Sequence, residues 1–284
     1  MPHNDRRHTL ALFIIFYANM IRMFKRNISI SFLIPCIILF LLIGLVIFHK
    51  AAGMAIWRVA HAPTIALLLH RDAALALTIG NYYFNGEKNG VYDLNKASFY
   101  FNKALEIDPR VPDAWHQLAR IDFLRGDFVH ALQKINTQIE LHGSSFMASF
   151  YIRGLVNGFL GRFADAESDF KMFLTWDTTN WAVHNDLAWI YFSKGDYRNT
   201  ELIAAKGLAY NPNNPWLLTS LGLALLNQNK KAEAHVLLAQ ALEESKKLTT
   251  ENWSHAYPGN DPAIAKSGLK KMQEVIAQNL EKAK

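Results

Sequence analysis

The chain has 284 residues, 51% of them hydrophobic and 19% charged, with one cysteine. That composition excludes a disordered chain, and a single cysteine excludes an intramolecular disulfide and any multi-cysteine zinc or iron–sulfur site. The formal net charge is +6, but the first 50 residues carry +5 of it and the rest only +1, so the body shows no electrostatic footprint for nucleic acid.

Residues 9–21 are an apolar stretch of 13, short of the ~20 that a spanning helix needs. The stretch reads as an interfacial segment, as a partner for the next helix, or as sequence upstream of a start at Met23 in place of Met1. Residues 28–48 are then an uncharged run of 21. At ~1.5 Å per residue such a helix reaches across a bilayer's hydrocarbon core. Arg22, Lys25 and Arg26 precede it, which predicts residues 1–27 in the cytoplasm and the body on the extracytoplasmic side. Lys50 and Arg58 oppose that bias. The rival reading is a cleaved signal peptide with small residues at Ala51, Ala52, Gly53 and Ala55. The run exceeds the ~7–15 residues of a signal core, which favours an uncleaved anchor. Cys36 falls within the run, as a thiol facing lipid or a neighbouring helix. Residues 49–71 read as a helical stalk.

Beyond the stalk, small residues recur at Ala97, Ala131, Ala166, Thr200 and Ala234, at intervals of 34, 35, 34 and 34. Upstream of them stand Trp115, Leu118 and Ala119; Phe150 and Gly154; His184, Leu187, Ala188 and Tyr191; Leu218, Leu221, Gly222 and Leu225. Downstream come Phe101 with Ala104, Phe170 with Phe173, Ala204 with Gly207, and Leu238 with Ala241. Gly126–Asp127, Gly161–Arg162, Gly195–Asp196 and Asn229–Lys230 mark turns between the halves.

This period and pattern resemble the tetratricopeptide repeat (TPR), a helix–turn–helix unit, over residues 72–245 in about five copies. The resemblance implies an all-α, right-handed superhelical solenoid behind one membrane helix, because no single unit can bury its own apolar face. Residues 86–92 insert about five extra positions into the first repeat. Gln138 and Thr200 stand where alanine is usual, which predicts local looseness. Residues 252–260 read as a linker, with Trp253 and Tyr257 covering the last repeat. Asp261 and Pro262 read as a helix start, and Ala265, Leu269, Met272, Ile276 and Leu280 form one apolar stripe, a capping helix over residues 246–284 together with the linker.

Eleven histidines prompt a search for metal sites, but none pairs with another on one helix face around a glutamate, and no ligand set emerges. His116, His184 and His235 fall on repeat helices. Ser193 and Ser220 lack a strand-to-helix elbow. Asp165 and Asp169 read as a solvated face. No catalytic constellation, cofactor site or metal site follows, so the chain reads as a non-enzyme.

The resemblance places helix A of each repeat on a concave groove. Carried across, its groove positions are Asn81 and Phe84; His116, Gln117 and Arg120; Tyr151, Leu155 and Phe159; Asn185, Trp189 and Phe192; Trp216, Thr219 and Leu223. Of these, Asn81, His116, Gln117, Arg120, Tyr151, Asn185, Trp189 and Trp216 are the expected contacts for a peptide or protein partner. The set lacks the two-lysine, two-asparagine clamp by which some members grip a carboxylate. The expected function is a membrane-anchored scaffold of the bacterial envelope type, serving assembly of an envelope complex. The alternative is a glycan- or small-molecule-binding accessory subunit of an envelope enzyme.

Overall fold

The computed structural model describes residues 30–85, 91–256 and 260–284, without the side chains at 30–33, 36, 37, 40–48 and 144. The 9–21 stretch, the basic cluster Arg22, Lys25 and Arg26, the start at Met23, the setting of Cys36, positions 86–90 of the inserted loop and Tyr257 lie outside the described residues. The chain divides into two units, Met1–Arg71 and Asp72–Lys284.

In the first unit, α1 (Ile30–Ala60) is a 31-residue helix that runs through Pro35. It ends at His61, whose φ is +46°, and α2 (Pro63–Leu69) starts with proline in its first turn. Gly53 marks the contact between them: a Cβ there would sit 2.5 Å from the His70 Cβ and 2.8 Å from the Ala66 carbonyl oxygen. Residues 49–71, expected as a stalk, thus hold the end of α1, a break and α2. Among the described residues, which leave out most side chains of the 28–48 run, no helix is long and apolar enough to cross a membrane.

The second unit is an α solenoid of five helical hairpins. They pair α3 (Ala73–Phe84) with α4 (Leu94–Ile107), α5 (Ala114–Leu124) with α6 (Phe128–His142), α7 (Ala148–Phe159) with α8 (Phe163–Trp176), α9 (Trp181–Ser193) with α10 (Tyr197–Tyr210), and α11 (Pro215–Asn227) with α12 (Lys231–Lys246). The first helices α5, α7, α9 and α11 also touch one another in series and share a face.

The turn inside each of the last four hairpins is one device. Gly126, Gly161, Gly195 and Asn229 all have φ between +61° and +78°. The following amide donates back across the helix end: Asp127 N–H to the Asp122 carbonyl at 2.9 Å, Arg162 to Asn157 at 2.8 Å, Asp196 to Tyr191 at 2.9 Å and Lys230 to Leu225 at 3.0 Å. This satisfies carbonyls that a helix end leaves unpaired. Asp127 and Asp196 then cap the next helix by accepting from His130 and Asn199 N–H.

Small residues on the first helix of a hairpin receive a large one from the second. A Cβ at Gly80 would lie 2.5 Å from the Phe101 ring, one at Gly154 2.7 Å from Phe170, and one at Gly222 2.8 Å from Leu238. Phe101, Phe170 and Leu238 are fully buried. They therefore fill notches within their own repeat. Burying each of these side chains contributes about 1.5–3 kcal/mol.

Two expectations need correction. Gln138 and Thr200 do not loosen the core, since both are 0% exposed. Thr200 Oγ1 donates to its own helix at the Asp196 carbonyl, 2.9 Å away, and Gln138 Oε1 accepts from His116 N–H at 3.3 Å. Asp169 is not on a solvated face either. It is buried, and Arg153 grips it through Nε at 3.0 Å and through a guanidinium NH₂ at 2.6 Å, with Asn157 Nδ2 at 3.1 Å. Only Asp165 is exposed.

At the C-terminal end, residues 250–256 are helical, so the expected linker contains α13 (Thr250–Ala256). Asp261 accepts from Ala263 N–H at 2.9 Å and opens a 3-10 turn at Pro262–Ile264 that leads into α14 (Ala265–Lys282). Met272 and Ile276 pack with Leu218 and Ala241, and Leu280 packs with Leu225, Ala234 and Leu238. The stripe thus closes the last hairpin, which an open solenoid end requires.

Candidate functional site

The helix α9 builds the centre of the shared face. Ala182, Asn185, Asp186 and Trp189 recur at helical spacing and so share one side of it. Their partners come from the repeats before and after. Tyr151 on α7 donates its hydroxyl to Asp186 Oδ2 at 2.7 Å. Asn185 Nδ2 donates to Asp186 Oδ1 at 3.4 Å, and Asn185 Oδ1 accepts from Ser220 Oγ on α11 at 2.9 Å. The row Tyr151–Asp186–Asn185–Ser220 therefore stitches three repeats together on the concave side.

Aromatic rings flank this row. Phe159 and Trp189 have centroids 5.4 Å apart, and Trp181 and Trp216 are 5.1 Å apart. They, with Tyr151, Asn185 and Asp186 of the row, border a cavity of about 340 Å³ that Ala256 and Asn260 also line. A second cavity of about 450 Å³ lies between Asp186, Trp189 and Trp216 on one side and Trp253, Lys271 and Met272 on the other. The C-terminal segment is thus one wall of the groove. Trp253 is itself seated against Gly268, where an added Cβ would come within 2.3 Å of its ring.

Burial pushes the Asp186 carboxyl up to about 6, against the stabilising hydrogen bonds from Tyr151 and Asn185. Toward the N-terminal end the charge is of the other sign. Arg120 lies 4.5 Å over the Phe84 ring and donates to Gln117 Oε1 at 2.9 Å, while Gln117 Nε2 donates to Asp113 at 2.9 Å. Burial draws the guanidinium below its ordinary value and raises the Asp113 carboxyl. Burial, then the charge of Asp261, pushes the Tyr92 phenol up to about 12.

The structure brings four expected residues, Tyr151, Asn185, Trp189 and Trp216, to one cavity. Gln117 and Arg120 form the adjoining polar set. Asn81 is half-buried, and its Oδ1 is buried with no hydrogen-bond donor. His116 does not reach the groove. Its ring is buried, with Nδ1 3.1 Å from Ser149 Oγ, and burial holds it neutral with a pKa of about 3. Ser149 is the polar partner of the inward-turned ring, while Gln138, at the position of the usual alanine, accepts from the His116 backbone N–H. Sequence reasoning missed Asp186, Trp181 and Ser220 as groove residues. Asp186 and Trp181 were findable from their spacing to Asn185 and Trp189. Lys271 was not, because only the folded-back C-terminus carries it there, and Trp253, expected to cover the last repeat, lines the second cavity with it. Among the described residues, no group of three or more His, Cys, Asp or Glu side chains is placed to hold a metal ion.

No family model matches the chain, and no curated protein matches it. Solved structures do. The crystal structure of MamA is 20% identical with a TM-score of 0.51, over 57% of this chain and 95% of that one. YrrB, described as a TPR protein with an unusual peptide-binding site, is 16% identical with a TM-score of 0.53, over 66% of this chain and 93% of that one. A tetratricopeptide repeat protein from Parabacteroides merdae is 15% identical with a TM-score of 0.52, over 81% and 83%. At these identities the likeness is one of fold: the body is an α solenoid of the TPR kind.

Proposed function

We propose that this chain is a membrane-tethered TPR scaffold whose concave face binds an extended segment of a partner protein. The polar row across α7, α9 and α11 carries the reading. Amide and hydroxyl groups at a steady interval suit a peptide backbone, and the flanking rings suit its side chains at modest entropy cost. The described peptide-binding site of YrrB, on the same kind of fold, adds support. The uncharged run at 28–48 with its basic flank supports an anchor with the body on the extracytoplasmic side, in assembly of an envelope complex. The chain acts by holding a partner, and no step of covalent chemistry is assigned to it.

A photo-crosslinking residue in place of Trp189 is expected to trap a protein partner in cells, whereas the same residue in place of exposed Leu202 on α10 is not. Equal trapping at both positions sinks the groove reading. Saturable heat with oligosaccharides and none with peptides replaces it by the glycan-binding one. The topology has its own test, digestion of the body by protease added outside intact cells. Digestion only in inside-out vesicles reverses the orientation.

A further inference from the structure

We infer that the cavity between α7, α9 and α11 receives a lysine or arginine side chain of the bound segment, with the cationic head on Asp186 and the stem against Trp189 and the Trp181–Trp216 pair. The inference rests on the peptide-binding reading above and names the chemistry that the partner brings.

Asp186 is the first observation. An ionised carboxylate offers about four acceptor sites. Asp186 accepts from two neutral donors, Tyr151 Oη at 2.7 Å and Asn185 Nδ2 at 3.4 Å. Among the described residues no lysine or arginine nitrogen pairs with it. Of the cations nearby, two are engaged elsewhere and the third, Lys271, lines a cavity with Asp186 but forms no ion pair with it. Arg120 is engaged with Gln117 and Phe84, and Arg153 with Asp169. A carboxylate drawn out of water in this way is costly until a cation meets it.

The surrounding rings are the second observation. Aromatic faces carry negative potential and attract cations, more strongly once desolvated. Phe159, Trp189, Trp181 and Trp216 bound the cavity on the sides that Asp186 and Asn185 leave open. A third observation is size. About 340 Å³ is room for one long side chain and not for a folded element. An acidic ligand would meet Asp186 with like charge, and an apolar one would leave it unsatisfied. The pocket is thus the electrostatic inverse of a carboxylate clamp.

The test uses the full chain in detergent micelles. Extended heptapeptides that differ only at the central residue (lysine, arginine, norleucine or glutamate) are titrated by calorimetry. Nα-acetyl-lysine methylamide is titrated in parallel by tryptophan fluorescence. Lysine and arginine peptides are expected to bind about tenfold or more tightly than norleucine, and glutamate weakest. Asp186→Asn is expected to bring lysine and norleucine within about twofold of each other while norleucine binding persists. Trp189→Ala, which keeps the carboxylate, is expected to weaken the lysine peptide several-fold. Norleucine binding as well as lysine, or a lysine preference that survives Asp186→Asn, overturns the cation site and leaves peptide binding standing. Quenching by the lysine amide that depends on Asp186, with no peptide binding, keeps the cation site and ends the peptide reading. No binding in either arm overturns both.

Discussion

His116 is neutral inside the fold and, at pH 5, charged outside it. Its folded pKa of about 3 lies below the ordinary 6.5, so the unfolded chain binds the extra proton first. The stability tied to this ring is present above pH 6.5 and is lost as pH falls toward 3. At pH 5 the loss is about 2 kcal/mol. Urea unfolding of His116→Phe is expected to show a correspondingly flatter dependence between pH 8 and pH 5. Glu167 acts lower on the scale. Burial opposes its charge, but Lys171, Lys194 and Tyr191 bond it and hold the carboxyl at about 2, so its contribution fades only as pH falls below the ordinary 4.5. Asp186 runs the other way. Its carboxyl is raised to about 6, so the fold gains stability from it as pH falls from above 6 toward the ordinary 3.8. Asp186→Asn is therefore expected to raise the melting temperature at pH 7, the behaviour of a residue kept for binding and not for stability. The Arg153–Asp169 pair is structural by contrast. With Asp169 3% exposed, Arg153→Ala leaves a buried charge alone and is expected to cost about 3–5 kcal/mol in urea unfolding, more than truncating any exposed lysine.

Each hairpin depends on one close crossing and one tight turn. Gly154→Ala forces a Cβ to within 2.7 Å of a Phe170 ring that is wholly enclosed. The ring has no empty neighbour space to move into, so the expected cost is about 1–3 kcal/mol. Gly126 differs, because a Cβ there would meet nothing within 4 Å but its φ is +78°. Gly126→Ala is expected to cost about 1 kcal/mol through backbone conformation alone. Asn229 holds the same turn at φ +61° with a side chain. Asn229→Gly relieves that strain but frees the unfolded chain, so the two effects nearly cancel. Thermal melts of the three variants separate crowding from backbone strain. The order expected is Gly154→Ala least stable, then Gly126→Ala, with Asn229→Gly close to the parent.

At the scale of the molecule, the solenoid needs an end and the groove needs several repeats. Ile276 is 1% exposed against Leu218 and Ala241. Ile276→Ala is expected to cost about 2–4 kcal/mol and to loosen α11 and α12 before α3 and α4. Hydrogen exchange resolved by peptide reads this as faster exchange confined to the C-terminal hairpins. The groove row spans α7, α9 and α11, so the same variant is expected to weaken groove binding through Ser220 and Trp216, which line one cavity with Ile276. Uniform exchange along the solenoid would show that the repeats unfold as one body.

The five hairpins and their turns were legible because repeats make local rules visible. A 34-residue interval of small residues, with glycine or asparagine shortly before each, reports contacts between helices adjacent in sequence. Groove positions were carried over from the resemblance to the tetratricopeptide repeat, and Tyr151, Asn185, Trp189 and Trp216 meet at one cavity. His116 sits at the same spacing and turns inward, because buried Ser149 offers its ring a polar partner and buried Gln138 takes its backbone N–H. That depends on side chains 22 and 33 residues away. Asp169 on α8 looked solvated by composition and is buried because Arg153 reaches it from α7. The path of the C-terminal segment depends on packing between distant parts of the chain, for which no local signal exists. By itself the sequence determined the repeat, its length and its turns, since these rest on backbone conformation and residue size. Only the tertiary structure decided which polar side chains face the groove, and that the chain's own end walls it. Those outcomes depend on burial and charge pairing between residues that only folding brings together.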